Sequence, residues 1–398
     1  MEGRDANPLQ KFGRINEVAR GIDLEVPYEM EFPILELPDR IIFEILARLP
    51  FLSVLRCKCV CRAFCGLIRD PYFSKHYISR APTSYLVREA SRKKIHFYED
   101  DSMPSQRMSS SNLSNFKCQV PPKQVVAKLS ELHEKMVFVN SCNGFLCMYS
   151  GDRPKYYISN PVLDEIMLMP SPPSLEIGHN YLNFSALGFS PNTNKFKVVR
   201  FVSKLAKVVA EVLTVGRKSW TSVDCSLAGN PVESLDPFVN GALHWISDRC
   251  RTEGMLCSFN LDTDTFMPIA LPNNLDTDVL KKITWINTGA LGDCLCLCYA
   301  FEGVSFDVWV MNDYGVKESW TKNFSIDIQY YCGLEIGIKH RPIWFTREGN
   351  MWLNCDSSSL VSYCRTKRSF REMVIGAGTT IEAVPYIPSF ISLSTAMN

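Results

Sequence analysis

Near residue 84 the hydrophobic pattern of this chain changes period. Over residues 37–80 apolar side chains recur at helical spacing. Downstream they alternate in twos, through "YLVREASRKKIHFYE", "VFVNSCNGFLCMY", "FKVVRFV", "AEVLTV", "CLCLCYAF" and "FDVWVM". Period two places successive side chains on opposite faces of a strand, so the downstream region reads as a long succession of half-buried strands. The boundary divides the chain into a small helical unit, 37–80, and an all-β unit, 84–393. Residues 1–36, with four basic and eight acidic side chains, read as a flexible acidic leader.

The β region repeats itself. "NSCNGFLCMY", "VNGALHWIS", "GALGDCLCLCY" and "TREGNMWLN" each set a glycine-containing turn before an alternating strand. The glycines are Gly144, Gly241, Gly292 and Gly349, and Gly188 fills the long first gap. A second element comes after each turn: "YYISNPVLDEIMLMP", "FNLDTDTFMPIALP", "VWVMNDYGVKESWTKNF" and "VSYCRTKRSFREM" read as hairpins. Strand-rich units of this size cannot bury both faces alone and must stack in a ring, so the expected fold is a β-propeller-like repeat domain of five to seven blades. Tryptophans 220, 245, 285, 309, 320, 344 and 352 would wedge between blades. The final "TIEAVPYIPSFISL" would supply a strand closing the ring on its beginning.

Composition excludes several function classes. Lys plus Arg is 43 against 42 Asp plus Glu, so the net charge is +1. That balance argues against a general nucleic-acid binder, and no apolar run has the length of a membrane span. With no signal-peptide core in the leader, a cytoplasmic or nuclear location is expected. The sixteen cysteines form no C-x-x-C, and three of them, Cys294, Cys296 and Cys298, share one face of a strand. Free thiols packed as small hydrophobes are expected rather than disulfides. The six histidines show no ligand spacing, so neither a metal nor a cofactor is expected.

The helical unit is unusual for its size. In "LPDRIIFEILARLP", with Ile41 at 0° and 100° per residue, Ile45, Leu49, Ile42 and Leu46 fall between 40° and 140°, and Phe43 extends the arc to 200°. Arg40, Glu44 and Arg48 hold the other side. After Pro50 a second helix is expected, with Ser53 as N-cap and Leu55, Val60, Phe64, Leu67 and Ile68 apolar. A unit this short carries more apolar side chains than its own core can hide. Eight cations face only Asp39, Glu44 and Asp70, a local net of +5, which would attract an acidic partner. The plainer alternative is a pair of helices docked on the β domain.

The stretch "LPDRIIFEILARLPFLSVLRCKCVCRAFCGLIRDPYF" resembles an F-box of the plant type. The region C-terminal to it resembles the F-box-associated, kelch- or propeller-like β domain, through "ALGFSPNTNKFKVVRF", "SWTSVD" and "VNGALHWIS". The resemblance spans about residues 37 to 393. Phe64 stands where many members have tryptophan, and Ser190-Pro191 replaces the usual Asp-Pro. The resemblance implies a substrate-recognition subunit of a Skp–cullin–F-box ubiquitin ligase. Its F-box would bind a Skp-type adaptor, and through it a cullin scaffold and a RING protein, while the β domain captures a protein substrate. By position, the implied adaptor contacts are Leu37, Pro38, Ile41, Ile42, Ile45, Leu46, Leu49, Pro50, Val60, Cys61 and Phe64. Substrate contacts are unknown, with loops 171–183, 247–255 and 272–280 candidates by polarity.

Such a subunit needs no catalytic residue, because it works by raising effective concentration. His244 reads as a packed or loop-bonding histidine, Asp262, Asp264 and Asp276 as turn formers, and "GRKSWTS" and "IGAGTTIE" as turns without phosphate-loop spacing. Two alternatives stay open: an adaptor-binding protein with a non-ligase role, and a propeller enzyme or carbohydrate-binding module.

Overall fold

A computed structural model describes residues 33–81, 84–89, 94–99, 136–150, 155–173, 184–204, 207–225, 229, 231–232, 237–248, 250, 255–302, 304–327, 340–345, 350–355, 359–374 and 381–397. The helical unit has four helices. A 3-10 turn (Pro33–Glu36) leads into α1 (Asp39–Leu46), followed by α2 (Phe51–Lys58), α3 (Arg62–Arg69) and α4 (Pro71–Ile78). Pro38 and Pro50 immediately precede α1 and α2, both at φ −54°, where a missing N–H leaves no helical bond unmade.

The second helix departs from expectation in two ways. It breaks at Cys59–Cys61, where Cys61 is extended (φ −154°, ψ 169°) and its thiol accepts from Phe64 N at 3.5 Å, capping α3. Ser53 lies inside α2, and Pro50 occupies the N-cap instead. Asp70 caps α4, its carboxylate accepting from Tyr72 N at 2.7 Å with Pro71 at the first helical position.

The β region begins with β1 (Ser84–Glu89) and β2 (Lys94–Glu99) and continues as five four-stranded antiparallel blades. These are β3–β6 (Met136–Cys142, Phe145–Ser150, Lys155–Asn160, Glu165–Leu168) and β7–β10 (Ser185–Ser190, Lys195–Lys204, Lys207–Thr214, Thr221–Asp224). Next comes β11–β14 (Phe238–Val239, Ala242–Trp245, Met255–Asn260, Thr265–Ala270). The last two are β15–β18 (Ile283–Leu291, Cys294–Phe301, Ser305–Met311, Trp320–Asp327) and β19–β22 (His340–Phe345, Met351–Cys355, Ser359–Cys364, Ser369–Val374). β23 (Ile381–Tyr386) pairs antiparallel with β1, Ser84 opposite Tyr386, forming a three-stranded sheet with β2. The strand expected from the C-terminus therefore does close the ring. β23 lies beside β3 and β19, β3 beside β7, β15 beside β19, and β12 of the third blade beside both β7 and β15.

Alternation explains why the blades stack. In β16 the even-numbered side chains Cys296, Cys298 and Ala300 pack with Met351 and Leu353 of the next blade. The odd-numbered Leu295, Leu297 and Tyr299 pack with Leu256 and Ile269 of the previous one. One strand thus feeds two cores, as a ring requires. Burial pushes the Cys296 and Cys298 thiols up, which keeps them protonated and inert. Thirteen cysteines among the described residues are free thiols.

Turn chemistry sets the blade geometry. Asn143-Gly144 (φ 46° and 82°) and Asn240-Gly241 (φ 51° and 72°) are two-residue hairpin turns in the left-handed region, the arrangement Asn-Gly favours. Gly188 departs from the expected series. It lies within β7, where a Cβ would overlap the Leu261 side chain of the next blade. Gly349 lies outside the described residues.

The outer hairpins repeat in detail. Asn160 Oδ1 accepts from Val162 N (3.0 Å) and Leu163 N (3.3 Å), and Asn260 Oδ1 accepts from Asp262 N (2.9 Å) and Thr263 N (3.1 Å). Tryptophans bind neighbouring blades together: Trp220 Nε1 donates to Pro170 O (3.0 Å), and Trp320 Nε1 to Ala270 O (2.9 Å). Trp245 is fully buried against Phe201 of the preceding blade, with ring centroids 4.6 Å apart.

Candidate functional site

The four helices divide their apolar residues between two duties. Facing inward, Ile42, Phe43, Leu46, Phe51, Val54, Phe64, Ile68, Phe73 and Tyr77 form a single core with Leu86, Ile95, Phe97, Val384, Tyr386 and Phe390. The docked-helix alternative is therefore right about these side chains. Facing outward, Ile41 is 45 % exposed, Val60 54 % and Leu37 39 %. On α1 the division follows the wheel: 100° to 200° is buried, and the edge near 0° is left in water.

The sequence-derived contact set is split accordingly. Leu37, Pro38, Ile41, Pro50 and Val60 are exposed, and Ile45, Leu49 and Cys61 are half-buried. Ile42, Leu46 and Phe64 are corrected: they are core side chains here, unavailable to a partner without unpacking the unit. The helical wheel marks them as apolar but not as inward, because the side chains that cover them come from the far end of the chain. Sequence reasoning also misses Tyr72, which is exposed next to Phe43, ring centroids 5.8 Å apart, with its ring stacked 6.4 Å from His76.

Charge frames the apolar edge. Glu44 pairs with Arg80, His76 (3.2 Å) and Arg48 (3.5 Å), joining α1 to the end of α4. Asp70 is spent on its cap. With two of its three carboxylates engaged, the unit presents Arg40, Arg56, Arg62 and Arg69 at its surface. Burial, with a smaller contribution from Arg69 close by, pushes the Lys58 ammonium below its ordinary range.

His244 and the aspartates read as turn formers all have partners within the fold. His244 is fully buried, with Nδ1 3.1 Å from Pro237 O and Nε2 2.8 Å from the Tyr314 hydroxyl. Nδ1 therefore carries the proton and donates to the carbonyl, while Nε2 accepts from the tyrosine. Burial pulls its pKa down to about 4, so it is neutral and locks the third blade to the fourth. Asp262 accepts from Ser190 Oγ, Asn192 N (3.0 Å) and Asn192 Nδ2 (3.1 Å), and Asp264 pairs with Lys197 at 2.7 Å. Asp276 caps the helix Thr277–Lys282. Among the described residues no group of side chains is arranged to hold a metal ion, and no helix is long and apolar enough to cross a membrane.

Topology sorts the loops. In each blade the first-to-second and third-to-fourth connections share one end of the ring, and the other connections share the opposite end. The helical unit sits at the first end: Tyr386 Oη donates to Gly144 O at 3.2 Å, and Phe390 comes four residues later. The strand ends that flank loops 171–183, 247–255 and 272–280 lie at the end away from the helices. Residues 174–183, 249 and 251–254 of these loops lie outside the described residues.

Comparison with known proteins agrees with this architecture. Residues 34–76 match the F-box domain model, and residues 87–382 match the model of the F-box associated beta propeller domain. An F-box protein of Arabidopsis thaliana is 25 % identical, over 82 % of this chain and 79 % of its own length. An F-box/kelch-repeat protein of the same plant is 24 % identical, over 85 % of this chain and 95 % of its own. Among solved structures, the beta-propeller domain of Cps50 (Swd1) from Myceliophteria thermophila covers 59 % of this chain and 85 % of its own at 10 % identity, with a TM-score of 0.36.

Proposed function

Since the chain belongs to the F-box proteins with an F-box associated β-propeller, we propose that it is a non-catalytic substrate receptor of a Skp–cullin–F-box ubiquitin ligase. The adaptor would seat on Leu37, Pro38, Ile41, Ile45, Leu49, Pro50, Val60 and Cys61. One observation carries the reading: Leu37, Ile41 and Val60 stand in water on a helical unit whose inward side is already satisfied. Apolar side chains left out of a core with room for their neighbours suit a partner surface. The surrounding arginines would speed and orient the approach of an acidic adaptor.

The target protein would be held by the loops at the end of the ring away from the helices, where rigid strands display variable connections. Such a receptor supplies proximity. It holds a target lysine near a ubiquitin-charged enzyme carried by the cullin and RING subunits, and no group of its own takes part in the transfer.

The test is partner capture with and without the adaptor contact. Proximity labelling under proteasome inhibition should recover a Skp-type adaptor and a target with the wild-type chain. The Ile41→Asp chain should lose the adaptor, keep the target, and leave that target's level unaffected by proteasome inhibition. A target whose level never responds to the inhibitor would favour a non-ligase role.

A further inference from the structure

The segment after β23 does more than ring closure requires. Phe390 is buried, with its ring 5.8 Å from Phe51 of α2 and 6.0 and 5.4 Å from Phe73 and Tyr77 of α4. Three aromatic side chains of the helical unit thus converge on one ring from the other end of the chain. Offset and edge contacts at these separations resist sliding as well as separation.

On either side of Phe390 the segment is fixed to the first blade. Asn160 Nδ2 donates to Ser389 O (3.1 Å) and Ile391 O (2.7 Å). The Glu165 carboxylate accepts from Ser392 Oγ (2.8 Å) and Leu393 N (2.6 Å). Gly144, at φ 82°, admits the chain so closely that a Cβ there would overlap Ser389. The helical unit has one covalent crossing to the ring, the link between α4 and β1, and is otherwise held by the core it shares with β1, β2 and β23. Phe390, anchored in the ring and gripped by two helices, adds a wedge to that packing.

We propose that residues 387–393 form a strut that fixes the orientation of the helical unit on the ring, with Phe390 as a positioning residue for ubiquitin transfer. The proposal rests on the receptor reading. In that reading the adaptor face and the target loops lie at opposite ends of the molecule, so a small rotation of the helices swings a captured lysine through a wide arc. The ring partners of Phe390 are Phe51, Phe73 and Tyr77, whereas Leu37, Ile41 and Val60 are exposed, so its loss would leave adaptor affinity intact while spreading the lysines that receive ubiquitin.

The test compares the full-length wild type with Phe390→Ala, Phe390→Leu and Phe390→Tyr. Without adaptor, hydrogen exchange of α2 and α4 should quicken about tenfold in Phe390→Ala, a loss of ~1.4 kcal/mol in opening free energy. The blades spanning 185–224 and 283–327 should keep wild-type protection. With purified adaptor, affinity should stay within about twofold, and reconstituted transfer should modify more of the chain's own lysines. Phe390→Tyr should restore the wild-type lysine pattern. Should Phe390→Ala fail to fold, Phe390→Leu carries the same comparison. Unchanged exchange of α4 in both variants overturns the strut, as does faster exchange with an unchanged lysine pattern. A wild-type chain that binds no adaptor refutes the receptor reading instead, and the adaptor-free exchange still decides the strut.

Discussion

Leu46 and Ile41 stand on the same short helix and would be treated alike by any pattern of apolar residues, yet the structure gives them opposite roles. Leu46 is 1 % exposed in the core that the helices share with β1, β2, β23 and Phe390. Truncating it to alanine removes three buried carbons, worth ~2.4 kcal/mol at ~0.8 kcal/mol each. The cavity left in a core walled by aromatic rings adds to this and brings the cost to ~3–5 kcal/mol. Ile41→Ala should cost less than ~1 kcal/mol, since the side chain already meets water. Hydrogen exchange of α4, which packs against α1, reads the difference. A loss of ~3 kcal/mol in local opening free energy is a factor of ~10² in rate. Leu46→Ala should show an acceleration of that order and Ile41→Ala almost none. Equal acceleration in the two variants would refute the division of α1 into an inward and an outward edge.

Single contacts set the other expected outcomes. Trp320→Phe removes the indole donor to Ala270 O and should lower stability by about 1 kcal/mol, measured by urea unfolding. Gly144→Ala forces a side chain into a left-handed turn and against Ser389, so it should destabilise by more than ~1 kcal/mol and raise exchange in 387–393. His244 has a folded pKa of about 4 against an ordinary value of 6.5, so between those pH values the unfolded chain binds a proton that the fold refuses. Stability should therefore fall as pH drops from 6.5 to 4, by up to ~3 kcal/mol, and flatten below. His244→Gln should remove that component, and its persistence would count against the buried neutral ring. Adaptor association should slow as salt rises, and a rate indifferent to salt would show that the exposed arginines do not steer it.

The ring is legible in the sequence because its physics is local. Alternation exposes strand faces, Asn-Gly announces the hairpin turns at 143–144 and 240–241, and the outer hairpins carry their own asparagine and aspartate turns. Even the closing strand can be read, since a ring of sheets needs its last strand to meet its first. The helical unit is legible only as a surplus of apolar side chains. Which of them face inward depends on Phe97, Tyr386 and Phe390, and no helical wheel contains those residues. Ile42, Leu46 and Phe64 therefore read as a partner's surface when they belong to the protein's own core. Gly188 shows the same limit in the ring: its spacing resembles a turn glycine, but its cause is Leu261 of the neighbouring blade. The break at Cys61 is hidden because a thiol is a weak cap that sequence patterns do not weigh.

The outer edge of the helical unit, and no other part of the surface, is expected to receive the adaptor. Titration calorimetry of a purified Skp-type adaptor into the full-length chain measures this directly. Saturable one-to-one binding is expected, abolished by Ile41→Asp or Val60→Asp with the unfolding curve of each variant unchanged. Binding that survives both substitutions, or no heat with the wild type, would contradict it.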